Sequence, residues 1–144
     1  MPTTFYHGTS VEAAFSIQQN GFDPERWGTN AGARLRKGVY YSTIFEKAMN
    51  YAKLKPAQGV IFALSIDLGR CKTLQRDDPM MKCWQMHIYD SAWAPGGAST
   101  SDFEENCVKD PSRIRIVRAI AGNSDKLLEM GMTIDRGKMV MVGD

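Results

Sequence analysis

The sequence predicts an α+β fold, and three features carry that prediction. Val60-Ile61-Phe62-Ala63-Leu64-Ser65-Ile66 is a nearly continuous apolar run, the pattern of a strand covered on both faces. Capped helical stretches begin near Ser10 and Thr43, each directly after a short strand-like run. Further short strand patterns are scattered through the second half, with no internal repeat, linker or low-complexity tract. Residues 1–144 are therefore expected to form one domain with short helices flanking a sheet core.

Thr3 to Tyr6 reads as a first strand ending at His7. Ser10 is a good N-cap, and Glu12 lies in the positive first turn of a helix through about Asn20. Val11, Ala14, Phe15 and Ile17 give it an apolar face, and Gly21 is its stop signal. Phe22 to Leu35 is a loop longer than usual, and loops of that length tend to be functional or mobile. Lys37 to Ser42 is the next strand, and Thr43 with Glu46 forms a capping box for a helix to about Lys53. Pro56 and Gly59 break the chain before the run at Val60. Beyond it, Cys83 to Tyr89 alternates enough for a strand, and Ser91 to Ser101 reads as a second long loop. Glu105 to Lys109 and Ile114 to Ile120 are strands divided by Asp110-Pro111-Ser112. Ser124 is expected to cap a short helix through Met130, and Met139 to Val142 to add an edge strand.

With 144 residues, 43% of them hydrophobic, the chain has the size and composition of an ordinary globular domain. A chain this long buries about 68–70% of its unfolded surface and needs no disulfide or metal to fold. Three cysteines, Cys71, Cys83 and Cys107, without close pairing favour reduced, buried, inert thiols. Cys83 and His87 have tolerable metal spacing, but the remaining thiols lack the close pairs of structural zinc sites, so no metal is expected. No signal peptide or apolar span is visible, which leads to the expectation of a soluble monomer in the cytoplasm or nucleus, away from membranes. A net charge of +2 gives no electrostatic case for nucleic acid. The alternating Arg113-Ile114-Arg115-Ile116-Val117-Arg118 reads as the solvated face of a strand.

The chemistry concentrates in three blocks: His7-Gly8-Thr9, the stretch from Lys37-Gly38-Val39-Tyr40-Tyr41 to Tyr51, and Glu105-Asn106-Cys107-Val108-Lys109-Asp110. Nicotinamide can leave NAD only if the ribosyl cation is stabilised and the ring is held still. A carboxylate at the ribose 2′-hydroxyl serves the first need through a charge-assisted hydrogen bond. Stacked aromatic rings serve the second, at ~1–3 kcal/mol per stacked base in comparable sites. A glycine backbone can approach the carboxamide closely. Glu105, then Tyr40 and Tyr51, then Gly8 are the candidates for these roles, with His7 as a hydrogen-bonding neighbour. Singly, a tyrosine here would be core and a glutamate a solvated strand end; the joint occurrence favours the functional reading.

From about Phe5 to Ile120 the chain resembles the catalytic domain of poly(ADP-ribose) polymerases and diphtheria-toxin-like ADP-ribosyltransferases with a His-Tyr-Glu triad, as a small stand-alone member. The blocks are similar to that family's His-Gly-Ser/Thr, Lys-Gly-Ile/Val-Tyr-Phe and Glu-Tyr-x-Val-Tyr-Asp. The resemblance implies a split mixed-sheet core of two packed sheets and an NAD-dependent transferase, adding one ADP-ribose to an unidentified acceptor. NAD would be the substrate. His7, with Gly8 and Thr9, would hold the adenine-side ribose and the carboxamide, Tyr40 and Tyr51 would sandwich nicotinamide, and Glu105 would bond its ribose. Phe22 to Leu35 would stand where the family has its donor loop, with Arg34 or Arg36 neutralising the pyrophosphate. The family's preceding helical regulatory domain is not expected, because His7 lies so near residue 1.

Two positions depart from the pattern. Ala48 stands where the family usually has a serine that donates to the carboxamide, a loss of ~0.5–1.5 kcal/mol. Phe103, two before the glutamate, supplies no polar help in acceptor choice. Ser99-Thr100-Ser101 with Glu104-Glu105 imitates the Arg-Ser-Glu class of transferases, yet the pieces are contiguous and follow Pro95-Gly96-Gly97, so they read as loop. The rival readings are a binding module holding NAD or ADP-ribose without turnover, and an NAD hydrolase. No basic signature matches the RNA 2′-phosphotransferases of related fold.

Overall fold

A computed structural model describes residues 3–23, 35, 38–53, 59–95 and 104–143, with residues 50–53 as backbone alone. The chain divides into two compact units, residues 1–21, 43–65 and 115–144 in the first and residues 22–42 and 66–114 in the second. The architecture is the α+β arrangement expected, with β-structure split between separate sheets and few short helices.

In the first unit, β1 (Phe5–Thr9) pairs antiparallel with β3 (Val60–Ile66), which also neighbours β7 (Ile114–Ala121). Val60 to Leu64 are all buried, as a two-faced apolar strand requires. α1 (Val11–Asn20) starts where Ser10 Oγ accepts the Ala13 N–H at 3.2 Å. It stops at Gly21, whose N–H still reaches the Ile17 carbonyl and whose φ of 83° turns the following chain out of the helix. α2 (Phe45–Lys53) begins two residues after Thr43, with the Ala48 N–H on the Ile44 carbonyl. Its buried side belongs to a cluster with β1, β3 and β7 formed by Ala48, Ile61, Tyr6, Phe45, Met49 and Ile120, with Tyr6 and Phe45 edge to face at 5.4 Å.

α3 (Ser124–Glu129) is capped by Asn123 rather than Ser124, since the Asn123 carboxamide oxygen reaches the Lys126 N–H at 3.1 Å. It leads into a hairpin of β8 (Met132–Asp135) and β9 (Lys138–Met141). The sequence signals include β9 but miss β8, which is short and half polar. Gln18 of α1 binds the Met139 backbone twice, donating to its carbonyl at 2.8 Å and accepting its N–H at 2.7 Å.

The second unit holds a mixed sheet in the order β2 (Val39–Tyr41), β6 (Glu105–Val108), β5 (Ser91–Ala94), β4 (Cys71–Thr73). β2 and β5 lie antiparallel to β6, and β4 lies parallel to β5. Two expectations need correction here. Cys83 to Tyr89 is not a strand: Asp78 accepts the Gln75 and Met80 N–H groups, the Met80 carbonyl takes the Cys83 and Trp84 N–H groups, and Trp84–Met86 closes as a 3-10 turn. Ser91 begins a strand rather than a loop, because Ser91 to Ala94 fill the slot between β4 and β6; the Pro-Gly-Gly signal belongs after it. β4 was also invisible to periodicity, at only Cys71–Thr73.

The basic stretch divides in two. Arg115 and Arg118 are exposed, but Arg113 is half-buried and pairs with Asp67 at 3.0 Å and Asp90 at 3.2 Å. Asp110 breaks the chain before β7 by accepting the Ser112 N–H in a 3-10 turn at Pro111–Arg113. The thiols also differ from expectation: Cys107 is buried, Cys83 half-buried and Cys71 exposed. Among the described residues no helix is long and apolar enough to cross a membrane.

Replacing Gln18 by Ala removes both bonds to Met139 and leaves that backbone without its partner. Urea unfolding is expected to show a loss of about 1–3 kcal/mol.

Candidate functional site

In the first unit, the expected His7-Gly8-Thr9 block lies within β1 rather than after it. Alternation divides its residues. His7, 6% exposed, and Thr9 share a face with Phe62 and Val60, their register partners. Tyr6 and Gly8 point to the other face, where Gly8 is opposite Ile61 and α2 packs. Among the described residues β1 is an edge strand of its sheet, and an edge strand turns alternate backbone N–H and C=O groups away from its one neighbour. That is the geometry a planar carboxamide would use. Ala48 is 1% exposed and packed against Ile61, so its methyl group is part of the core. Tyr51 lies in α2, but its side chain is outside the described residues, as are Arg34, Arg36, Lys37, Phe103 and Ser99 to Ser101.

In the second unit, the β2–β6 register sets Tyr40 opposite Cys107 and Tyr41 opposite Asn106. Side chains alternate along each strand, so Tyr40, Cys107 and Glu105 fall on one face and Tyr41 and Asn106 on the other. Tyr40 and Glu105 are thereby diagonal neighbours on adjacent strands. Glu105 is 7% exposed and lies across from the buried Ala94 of β5. The arrangement offers a carboxylate shielded from bulk water beside an aromatic ring, where a fixed charge acts more strongly than in solvent.

Gly38 makes this placement feasible. Its φ is 152°, and a Cβ there would lie 2.4 Å from Cys107 Sγ and 2.9 Å from the Val108 carbonyl oxygen. The glycine of the Lys-Gly-Val-Tyr block thus permits β2 to close on β6.

Tyr40 does more than present a ring. Its hydroxyl accepts the Leu35 N–H at 2.8 Å, and the ring packs on a core of Leu35, Leu74, Trp84, Ala92, Ala94 and Cys107. The Leu35 carbonyl accepts from Trp84 Nε1 at 3.0 Å and from Gln85 Nε2 at 2.5 Å. Sequence patterns did not single out Leu35, Trp84 or Gln85. A tryptophan in an otherwise polar and methionine-rich stretch was the one available signal.

The family model for the poly(ADP-ribose) polymerase catalytic domain matches residues 3–124. The chain belongs to that family. The matched span contains β1, β2, α2 and β6, and therefore every strand and helix that carries a candidate residue. Members of the poly(ADP-ribose) polymerase family are NAD-dependent ADP-ribosyltransferases, with NAD as substrate. A comparison with curated proteins found no match. Among the described residues there is no group of three or more metal-ligating side chains.

Burial raises the Cys107 thiol well above its ordinary value of 9.0, with the Glu105 charge adding to the effect. Burial likewise raises the Tyr41 phenol above 10.0, helped by Cys71, Cys107 and Glu104. Both groups hold their protons more tightly in the folded chain than in the unfolded one. Their contribution is fully present below pH 9 and is lost as pH rises past 9 and then 10 toward the folded values. The urea midpoint is expected to fall steadily between pH 8 and pH 11, and Cys107→Ala is expected to flatten the first part of that fall.

Proposed function

We propose that the protein transfers one ADP-ribose unit from NAD to an acceptor nucleophile, releasing nicotinamide. The observation that carries this reading is the shared face of Tyr40 and Glu105 on adjacent strands inside the family-matched span. In the proposed reaction the bond between ribose C1′ and the nicotinamide nitrogen breaks, and its electron pair leaves with nicotinamide. Glu105 accepts a hydrogen bond from the ribose 2′-hydroxyl and stabilises the cation by its charge. The acceptor lone pair then bonds C1′, and the acceptor proton passes to the Glu105 carboxylate or to solvent. Tyr40 stacks on nicotinamide, with Tyr51 as the second ring. Gly8 meets the carboxamide, His7 and Thr9 orient the adenine-side ribose, and Arg34 or Arg36 offsets the pyrophosphate charge.

The buried position of Ala48 shapes the same reading. No hydroxyl is available there for the carboxamide, so binding depends more heavily on stacking and on the β1 backbone. A weak grip on NAD with intact chemistry is the result.

With labelled NAD, the wild type is expected to release nicotinamide, and Glu105→Gln to do so at least about 100-fold more slowly. Equal release by both forms would end the enzyme reading and leave the binding module. Mass spectrometry of a lysate treated with protein and labelled NAD separates transfer from hydrolysis: modified macromolecules support the former, free ADP-ribose alone the latter. Benzamide, a nicotinamide mimic, is expected to raise the melting temperature by mass action. Tyr51→Ala should reduce that shift without unfolding the chain.

A further inference from the structure

The connection between the parallel strands β4 and β5, residues 74–90, is where a crossover would ordinarily place a regular helix. Here it is a series of turns ending in the 3-10 segment Trp84–Met86. Trp84 is wholly buried, so its indole N–H must find an internal acceptor, and it takes the Leu35 carbonyl. Gln85 donates to the same oxygen. Lys109, just past β6, holds the far side of the turn through the Gln85 and His87 carbonyls at 3.0 and 3.1 Å. Both backbone polar groups of Leu35 are thus held, the carbonyl by Trp84 and Gln85 and the N–H by the Tyr40 hydroxyl.

A ring that stacks on a ligand must be held in one plane. Tyr40 has rotational freedom about its side-chain bonds that packing on one side does not remove. A hydrogen bond that its hydroxyl accepts from a backbone N–H, on a residue that is itself clamped, restricts that freedom. We propose that Trp84 and Gln85 are positioning residues of the nicotinamide site: they fix Leu35, and Leu35 fixes the Tyr40 ring on the face it shares with Glu105. This rests on the reading of Tyr40 as the stacking ring. The chain of effect is Trp84 and Gln85 to Leu35 to Tyr40, with no contact of either positioning residue to NAD.

The test compares wild type, Trp84→Phe, Gln85→Met, Tyr40→Phe and the double variant Trp84→Phe/Tyr40→Phe. Trp84→Phe keeps a ring in the core and removes the donor; Gln85→Met is half-exposed and serves if the first variant fails to fold. Benzamide affinity by calorimetry and the KM for NAD are expected to weaken about three- to tenfold in each single variant, the size of one lost hydrogen bond. In Trp84→Phe and Gln85→Met the kcat for nicotinamide release is expected to stay within about twofold, because stacking is made equally before and during the reaction. Hydrogen exchange of the Leu35 amide is expected to quicken in every variant. The deciding comparison is the double variant: once the Tyr40 hydroxyl is gone, Trp84→Phe should weaken benzamide no further. Effects that multiply in the double variant, or unchanged benzamide affinity in both Trp84→Phe and Gln85→Met, overturn the proposal while leaving the function intact. A wild type that neither binds benzamide nor releases nicotinamide overturns the function, and this proposal with it.

Discussion

The antiparallel register between β2 and β6 is the constraint on which the candidate chemistry depends. Pairing Tyr40 with Cys107 places the tyrosine ring and the Glu105 carboxylate on one face. A slip of a single residue would send one of them to the opposite face, because side chains alternate with a period of two. The register is held from three directions. Gly38 allows the closest approach to Cys107 and Val108, Ala92 and Ala94 of β5 pack the shared face with small side chains, and Val39 and Val108 are buried together on the other face. None of these residues is chemical, yet each restricts where the chemical ones can stand.

The two units handle polar groups in different ways. In the second, the Leu35 backbone joins an aromatic hydroxyl, an indole and a carboxamide. In the first, α2 covers β1 and β3 with an almost purely apolar contact, in which Ala48 takes part as a core residue. A serine at that position would bring a hydroxyl into an apolar layer, where its nearest acceptor is the carbonyl one turn back. The departure at Ala48 is therefore consistent with the packing around it and does not stand out as a defect of the fold.

Legibility followed the range of the forces involved. α1 was readable because its cap, apolar stripe and glycine stop are all local signals, and β3 because its apolar run is unbroken. The strands that carry Tyr40 and Glu105 were readable because a glycine-led and a glutamate-led run each hold their pattern within a few residues. β4 and β5 were not, since short strands acquire their identity from partners farther away in sequence, and β8 was not, because its four residues are half polar. The Trp84 turn misled for a related reason: an alternating apolar stretch reads as a strand, but Asp78 and Met80 coil its backbone before any partner strand can pair with it. Arg113 was misread as solvated because its two aspartate partners, Asp67 and Asp90, lie far away in sequence.

The terminal hairpin lies past the family-matched span, which stops at residue 124, and yet it is tied into the first unit. Gln18 of α1 acts toward Met139 as a short piece of strand would, offering one donor and one acceptor to the same residue. The Ala119 N–H of β7 is likewise satisfied by the Gly137 carbonyl of the hairpin turn. Helix α1 follows directly from the strand bearing His7, so the scaffold behind that histidine includes residues the family pattern does not cover. A boundary drawn by homology alone would cut through a folded unit and strip α1 of its covering strand. For this chain, the fold's edge and the family's edge are different places.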